Sequence, residues 1–347
     1  MTSDPTADLP HSHGVPAAHG VIKLTPMDFI VEEILSFDIS GEGEHAFVHV
    51  EKAGENTDVV ARQLAAFCGV RIRDVSYAGL KDRHGLTTQW FSIQLPGKED
   101  PDWTRFNTPT IRILTAARNA RKLRKGALKG NRFSLCLRQL SVAPETLEAR
   151  LTAIQTFGVP NYFGPQRFGH QGDNTERARQ LFKDKERKID AHRRGLFLSA
   201  ARSQIFNDLL AQRVMGREWD QWVDGDVFMF EDSKSFFIPD PLDQAIQERL
   251  ATKVIHPSGV LVGQAPSSAT GKARFMEEAI EEQHLDLVEG LRQEGLETQR
   301  RPFRLCPEHL RYESIGIDAI KISFTLPAGS YATTVLREVI QMARVDI

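Results

Sequence analysis

Cysteine is scarce in this chain of 347 residues: there are three, Cys68, Cys136 and Cys306, far apart and in mainly apolar settings. They form no CxxC pair, so neither a disulfide scaffold nor a redox or zinc-ribbon motif is indicated, and they read as reduced residues of a cytoplasmic protein. Long apolar runs are missing too, which leaves no candidate for a membrane-spanning helix. There is no dinucleotide glycine fingerprint, no P-loop and no metal-ligand spacing, so no cofactor and no metal are expected. An excess of one charge is also absent, since 44 Lys+Arg against 46 Asp+Glu leave −2. The chain as a whole is therefore not a basic nucleic-acid binder, and any such site has to come from local clustering. Residues 1–20 are rich in Pro, His, Ala and Gly, lack a signal-peptide core, and read as a disordered leader. His11, His13 and His19 within it have no Cys or carboxylate spaced to complete a metal site.

Folding is expected to start near Val21. Residues 29–34 and 44–50 read as strands, the second by alternation. A helix follows, capped by Asn56 or Thr57, with Val60, Leu64 and Phe67 on one face and Gly69 at its end. Further strands are expected at 75–78, 87–95, 110–114 and 131–140, giving an α+β region with a largely antiparallel sheet. The texture changes near Gly158. Helical segments then dominate, including 199–214 and an acidic amphipathic stretch at 276–296. A strand at 320–326 and a helix at 330–344 close the chain. The outer sections resemble each other more than the middle, which points to an inserted domain.

The stretch Tyr77-Ala78-Gly79-Leu80-Lys81-Asp82-Arg83-His84-Gly85 carries the most chemistry. It places one carboxylate, Asp82, on a glycine-bracketed turn between two strands, where catalytic groups concentrate. Lys81 and Arg83 are expected to hold it ionised, as nearby cations lower a carboxylate pKa. An ionised, oriented carboxylate suits nucleophilic or base chemistry. A plain turn aspartate is the simpler alternative. An Asp82–His84 hydrolase pair is disfavoured, because neighbours two apart on a turn need not face each other.

Between Arg112 and Arg138 lie nine cations, Arg124, Lys125 and Arg132 among them, and no acid. Such a loop fits a phosphate backbone. Phe133 follows at a strand start, where it can stack on an unstacked base or simply alternate into the core with Leu135 and Leu137. Asn131 can read a base edge or cap the turn.

Six segments, in order, resemble the TruD family of tRNA pseudouridine synthases. They are Lys23 to Glu33, Gly41-Glu42-Gly43-Glu44-His45, Ala78 to His84, Gly130-Asn131-Arg132-Phe133, Asn161-Tyr162-Phe163-Gly164-Pro165-Gln166-Arg167-Phe168-Gly169, and Leu326 to Thr333. Met27 and Gly85 depart from the family pattern, which has a polar or charged residue and Ala there. The resemblance implies a cytoplasmic enzyme, acting as a monomer, that isomerises uridine 13 in the D-arm of tRNA to pseudouridine. It implies a catalytic domain with a mixed, mainly antiparallel sheet over residues 21–156 and 306–347, and an inserted α/β domain over 157–305, with RNA in the cleft between. Asp82 matches the catalytic aspartate and Phe133 the aromatic beside the target base, with Asn131 in the same motif. Lys23 and His45 fall at motif positions near the active site. Lys23 is a candidate to hold Asp82 ionised or to stabilise charge on the leaving base, against a plain surface lysine before a strand, and His45 to contact RNA or to pack in its strand. Gln166 and Arg167 are expected to touch RNA. A non-catalytic RNA-binding protein on the same scaffold is the alternative.

Overall fold

A computed structural model describes residues 4–184, 189–231, 233–239 and 242–343. The chain divides into two compact units. One comprises 17–148, 307–329 and the residues from 340 onward; the other comprises the start of the chain to Pro16, 149–306 and 330–339.

The first unit is built on an eight-stranded sheet. Its strands are β1 (Phe29–Leu35), β2 (His45–Ala53), β3 (Val75–Tyr77), β4 (Leu86–Gln94), β5 (Ile111–Asn119), β6 (Leu128–Leu137), β7 (Glu308–Gly316) and β8 (Ala319–Pro327). They run in the order β7-β8-β6-β1-β4-β2-β5, with β3 paired to β4. Every pairing is antiparallel except β1 with β4, between which the chain forms β2, a helix and β3. Alternation sets the faces, as in β1, where Phe29, Val31 and Glu33 point inward. The helix Thr57–Phe67 lies on the sheet through Val60, Ala61 and Leu64, which share a core with Val48, Val50, Phe91 and Ile93. Each such aliphatic side chain contributes about 1.5–3 kcal/mol on burial. Gly130 is required where β6 passes β8, because a methyl group there would stand 2.2 Å from the Leu326 carbonyl oxygen.

The second unit is mainly helical. Helices Asn174–Lys183, Ala191–Met215, Gly271–Gln283 and Leu285–Gln293 pack with an antiparallel four-stranded sheet of Phe236–Phe237, Val227–Phe230, Ile255–Leu261 and Gln299–Pro302. Its core gathers Phe163, Phe206, Leu210, Leu287 and Phe303. Arg213 forks onto Asp226 at 3.0 and 2.8 Å, both side chains 2% exposed.

Three expectations are corrected. The acidic stretch at 276–296 is two helices, separated at His284, which leaves helical geometry at φ −125°, ψ 35°. The final helix stops at Val339, and Gln341–Met342 instead pairs in parallel with His19–Gly20. Residues 4–20, read as a leader, are also ordered. Leu9 is buried, Arg337 donates to the carbonyls of Leu9 and Pro10, and the Ser12 and His13 amides donate to Glu338 at 3.4 and 3.3 Å. Composition misses this because the groups that satisfy the segment are distant in sequence, from Ser141, 122 residues from His19, to Arg337, 328 residues from Leu9.

Candidate active site

Asp82 lies in the loop between β3 and β4. Its Oδ2 contacts the Lys23 ammonium and its Oδ1 accepts the His84 amide at 2.9 Å. The carboxylate is 23% exposed, so one edge stays open. Burial acts to raise its pKa. The Lys23 charge and hydrogen bond, with the His84 amide, outweigh that and hold it below the usual aspartate value. Lys23 adopts the left-handed region at φ +61°, which only a fixed surrounding structure sustains in a non-glycine residue. Its ammonium also lies 4.0 Å from the Phe29 ring centre. Phe29 meets Phe133 edge-on at 6.4 Å, and Phe133 packs on Phe324 at 5.5 Å. Asp82, Lys23, Phe29 and Phe133 are thus linked by consecutive contacts.

Phe133 is 7% exposed, so most of its surface is core and little remains for a ligand. Asn131, two residues earlier on the same face, sits in register between Glu33 and Leu326. Its Oδ1 is buried without a hydrogen-bond partner among the described residues. A buried carbonyl left unsatisfied is costly and available to a donor.

Lys81 and Arg83 do not serve Asp82 as expected. Lys81 reaches down to Glu33 at 2.5 Å, a pair in which Glu33 is fully buried. Arg83 is exposed and in no ion pair among the described residues. Consecutive side chains along an extended segment diverge, so sequence neighbours of a carboxylate are poor candidates for its partners. His45 also lies apart. It and Lys52 stand at opposite ends of β2, seven residues or roughly 23 Å of strand. Its pKa is lowered mainly by burial, and its Nδ1 has no partner.

The loop's support was not foreseen. The Lys81 amide donates to the Thr57 hydroxyl at 3.1 Å, Thr57 donates to Gln89 at 2.9 Å, and Gln89 donates to the Gly79 carbonyl at 3.2 Å. Lys52 donates to carbonyls of the same loop. Glu33 also accepts the Trp90 amide at 3.0 Å, and the Trp90 ring stacks on His49 at 4.7 Å. The signal for these residues was a polar side chain on the inward phase of a strand: Glu33 after Phe29 and Val31, Lys52 after Val48 and Val50. Gly85 fits tightly here, since a methyl group on it would meet the Phe29 carbonyl oxygen at 2.5 Å.

The basic stretch separates into two sets. Arg112, Arg118, Arg132 and Arg138 pair with Glu51, Asp100, Glu32 and Asp28 at 2.9, 2.9, 3.2 and 2.8 Å. Arg121, Lys122, Arg124, Lys125 and Lys129 are exposed and in no ion pair among the described residues. The loop that carries them is tied to the Asp82 loop, because the Gly126 amide donates to the Ala78 carbonyl at 2.8 Å.

In the other unit, Gln166 is exposed, while Arg167 donates to Tyr331 at 2.8 Å and Ser199 at 2.7 Å. Glu231, His256 and Cys306 bring ligand-type atoms within 4.8 Å of one another. Arg304 donates to His256 Nδ1 at 2.9 Å, so Nε2 carries the proton and faces Glu231. That tautomer fits a hydrogen-bonded chain and not a metal centre.

The family model described as tRNA pseudouridine synthase D (TruD) matches residues 11–185 and 182–339. The chain is 50% identical over 334 residues to the tRNA pseudouridine synthase D of Methylococcus capsulatus, covering 96% of this chain and 94% of that one. It is 44% identical to the protein of the same name from Nitrosococcus oceani, over 94% and 92% of the two chains. The fold matches a crystal structure titled as the TruD of Methanosarcina mazei, with TM-score 0.73, 23% identity and 95% of each chain covered.

Proposed function

The chain belongs to the tRNA pseudouridine synthase D family, and we propose that it isomerises uridine 13 in the D-arm of tRNA, with Asp82 as the reacting carboxylate. Family membership carries the coarser statement, that this is an isomerase forming pseudouridine in tRNA. Support for the nucleotide position is the resemblance carried by the six motifs, which implies it. The observation that supports Asp82 is its ionised, two-point-anchored carboxylate with one edge open.

The reaction breaks the N1–C1′ bond, turns the detached uracil, and joins C5 to C1′. The proton lost from C5 is balanced by one gained at N1, so atoms and oxidation state are conserved and no co-reactant is needed. Asp82 acts at C1′ as nucleophile or as the base that assists loss of uracil. Lys23 keeps it ionised and stabilises charge beside it. The uridine leaves its stack at a cost of a few kcal/mol. Contact with the Phe133 edge, where stacking is worth about 1–3 kcal/mol per base, and a hydrogen bond from the base to the Asn131 carbonyl offset part of that. Arg124 and Lys125 hold the phosphate backbone beside the loop. Gln166 and Arg167 are assigned RNA contacts.

The test compares wild type with Asp82→Asn on unmodified tRNA carrying uridine 13, mapping pseudouridine by sequencing. Modification by wild type at that site, with a mutant that binds but leaves uridine unchanged, is the expected result. Modification at another uridine would remove the position, and an active mutant would remove Asp82.

A further inference from the structure

Lys52 stands where a strand facing a hydrophobic core normally carries an aliphatic residue. It follows Val48 and Val50 on the inward phase of β2 and is 1% exposed. No carboxylate lies within ion-pair distance of it among the described residues. Its ammonium instead faces three main-chain carbonyls, those of Glu55 at 2.8 Å, Asp82 at 3.2 Å and Lys81 at 3.5 Å. Three N–H donors thus meet three acceptors, the last of them weakly. A methionine would fill the same volume without the desolvation cost of a buried charge, so stability alone does not account for an ammonium at this place.

Two of the three carbonyls belong to the loop that presents the carboxylate, and one is Asp82's own. We propose that Lys52 is the positioning residue of this loop: it ties the Lys81 and Asp82 carbonyls back to β2, leaving the Asp82 side chain to meet Lys23 and the His84 amide. The proposal rests on the reading of Asp82 as the reacting group. It adds a residue that touches neither substrate nor the reacting atoms and acts through the backbone. The Thr57–Gln89 chain anchors Lys81 and Gly79 from the amide and carbonyl sides and the Gly54 amide holds the Arg83 carbonyl at 2.9 Å, so Lys52 supplies the constraint on the carbonyl of the reacting residue itself.

The arrangement carries a pH dependence. The charged groups facing Lys52 are Asp82, Lys81 and Glu55. Burial is the largest influence and brings its pKa down to about 8, against the favourable charges of Asp82 and Glu55 and with the unfavourable one of Lys81. A neutral amine keeps two donors, so one of the three carbonyls loses its partner on deprotonation. Turnover is expected to fall as pH rises through that value. Stability moves the other way. The folded pKa lies below the unfolded one, so between them the unfolded chain binds more protons and this group's contribution to stability rises with pH. A merely structural role would therefore not produce an alkaline loss of rate.

The experiment uses the full chain with an unmodified tRNA transcript. Single-turnover pseudouridine formation and tRNA affinity are measured from pH 6.5 to 9.5 for wild type, Lys52→Met and Asp82→Asn. Lys52→Met is expected to bind tRNA like wild type and to react about 10²-fold more slowly at neutral pH, the scale of loss from a misplacement near 1 Å. The wild-type decline near pH 8 is expected to be absent from it. A Lys52→Met variant with wild-type rate and alkaline limb, beside an inactive Asp82→Asn, would overturn the proposal and leave the Asp82 reading standing. An active Asp82→Asn would remove both. If Lys52→Met does not fold, the wild-type protein decides through the NMR signal of the His84 amide. A shift whose midpoint coincides with the alkaline limb supports the proposal, and an amide that stays fixed while the rate falls overturns it.

Discussion

Replacing Lys23 with Met removes the charge that contacts Asp82 while keeping most of the side-chain volume. An opposite charge this close lowers a carboxylate pKa by about 1–3 units, and each unit corresponds to about 1.4 kcal/mol. The ammonium and carboxylate are 16% and 23% exposed, so solvent screening removes only part of this. The variant is expected to raise the Asp82 pKa and to lose about 1–3 kcal/mol at neutral pH, between the worth of an exposed ion pair and the cost of breaking a buried one. In the wild type the folded pKa lies below the unfolded one. Its contribution is therefore present above the unfolded value, about pH 4, and is lost as pH falls through the folded value. In the variant the His84 amide alone opposes burial, so the folded pKa rises. The stabilisation from this carboxylate at neutral pH is then smaller, and the difference from wild type fades only as pH falls through the wild-type folded value. Urea unfolding between pH 4 and 8 measures the stability arm. The acid limb of single-turnover pseudouridine formation, expected to move to higher pH, measures the catalytic arm. Superimposable acid limbs and equal stability at pH 7 would refute the assignment of Lys23 as the electrostatic partner of Asp82.

Three further outcomes follow from other parts of the molecule. Arg213→Met strands Asp226, whose pKa burial already pushes up, and is expected to cost about 3–5 kcal/mol in urea unfolding, as for a broken buried pair; a loss under 1 kcal/mol would mean the site relaxes or admits water. Arg124→Ala with Lys125→Ala removes two unpaired cations beside the Asp82 loop. The slope of log affinity for tRNA against log salt should become shallower by about 1.4–1.8, while Arg132→Ala, which removes a residue paired with Glu32, should change it less. Gly130→Ala drives a methyl group to 2.2 Å from the Leu326 carbonyl and is expected to destabilise by about 1–3 kcal/mol, read as a lowered melting temperature; an unchanged melting temperature would show that β6 and β8 separate freely.

Local pattern determined a good deal of this protein. Alternation placed the strands, as in Phe29, Val31 and Glu33 or Phe133, Leu135 and Leu137, because the period-2 geometry of a strand is a property of the chain itself. Glycine-bracketed Asp82 was legible as a loop carboxylate, and the ordered motifs identified the family. The tertiary structure decided which charges meet. Lys81 and Arg83, one residue from Asp82, turn away from it, whereas Lys23, 59 residues distant, supplies its counter-charge. The cations of the basic stretch looked uncompensated because no acid lies between them in sequence. Four of them find carboxylates, Glu51 and Glu32 on neighbouring strands, Asp100 in a loop and Asp28 in the turn before β1, and only the remainder is open to a phosphate backbone. Lys52 gave a trace in the sequence as a cation on an inward phase, but its partners are carbonyls, and a carbonyl carries no sequence signal. Side-chain periodicity is local and survives in the linear chain. Electrostatic partnership falls off within a few ångströms in space, and only folding sets those distances.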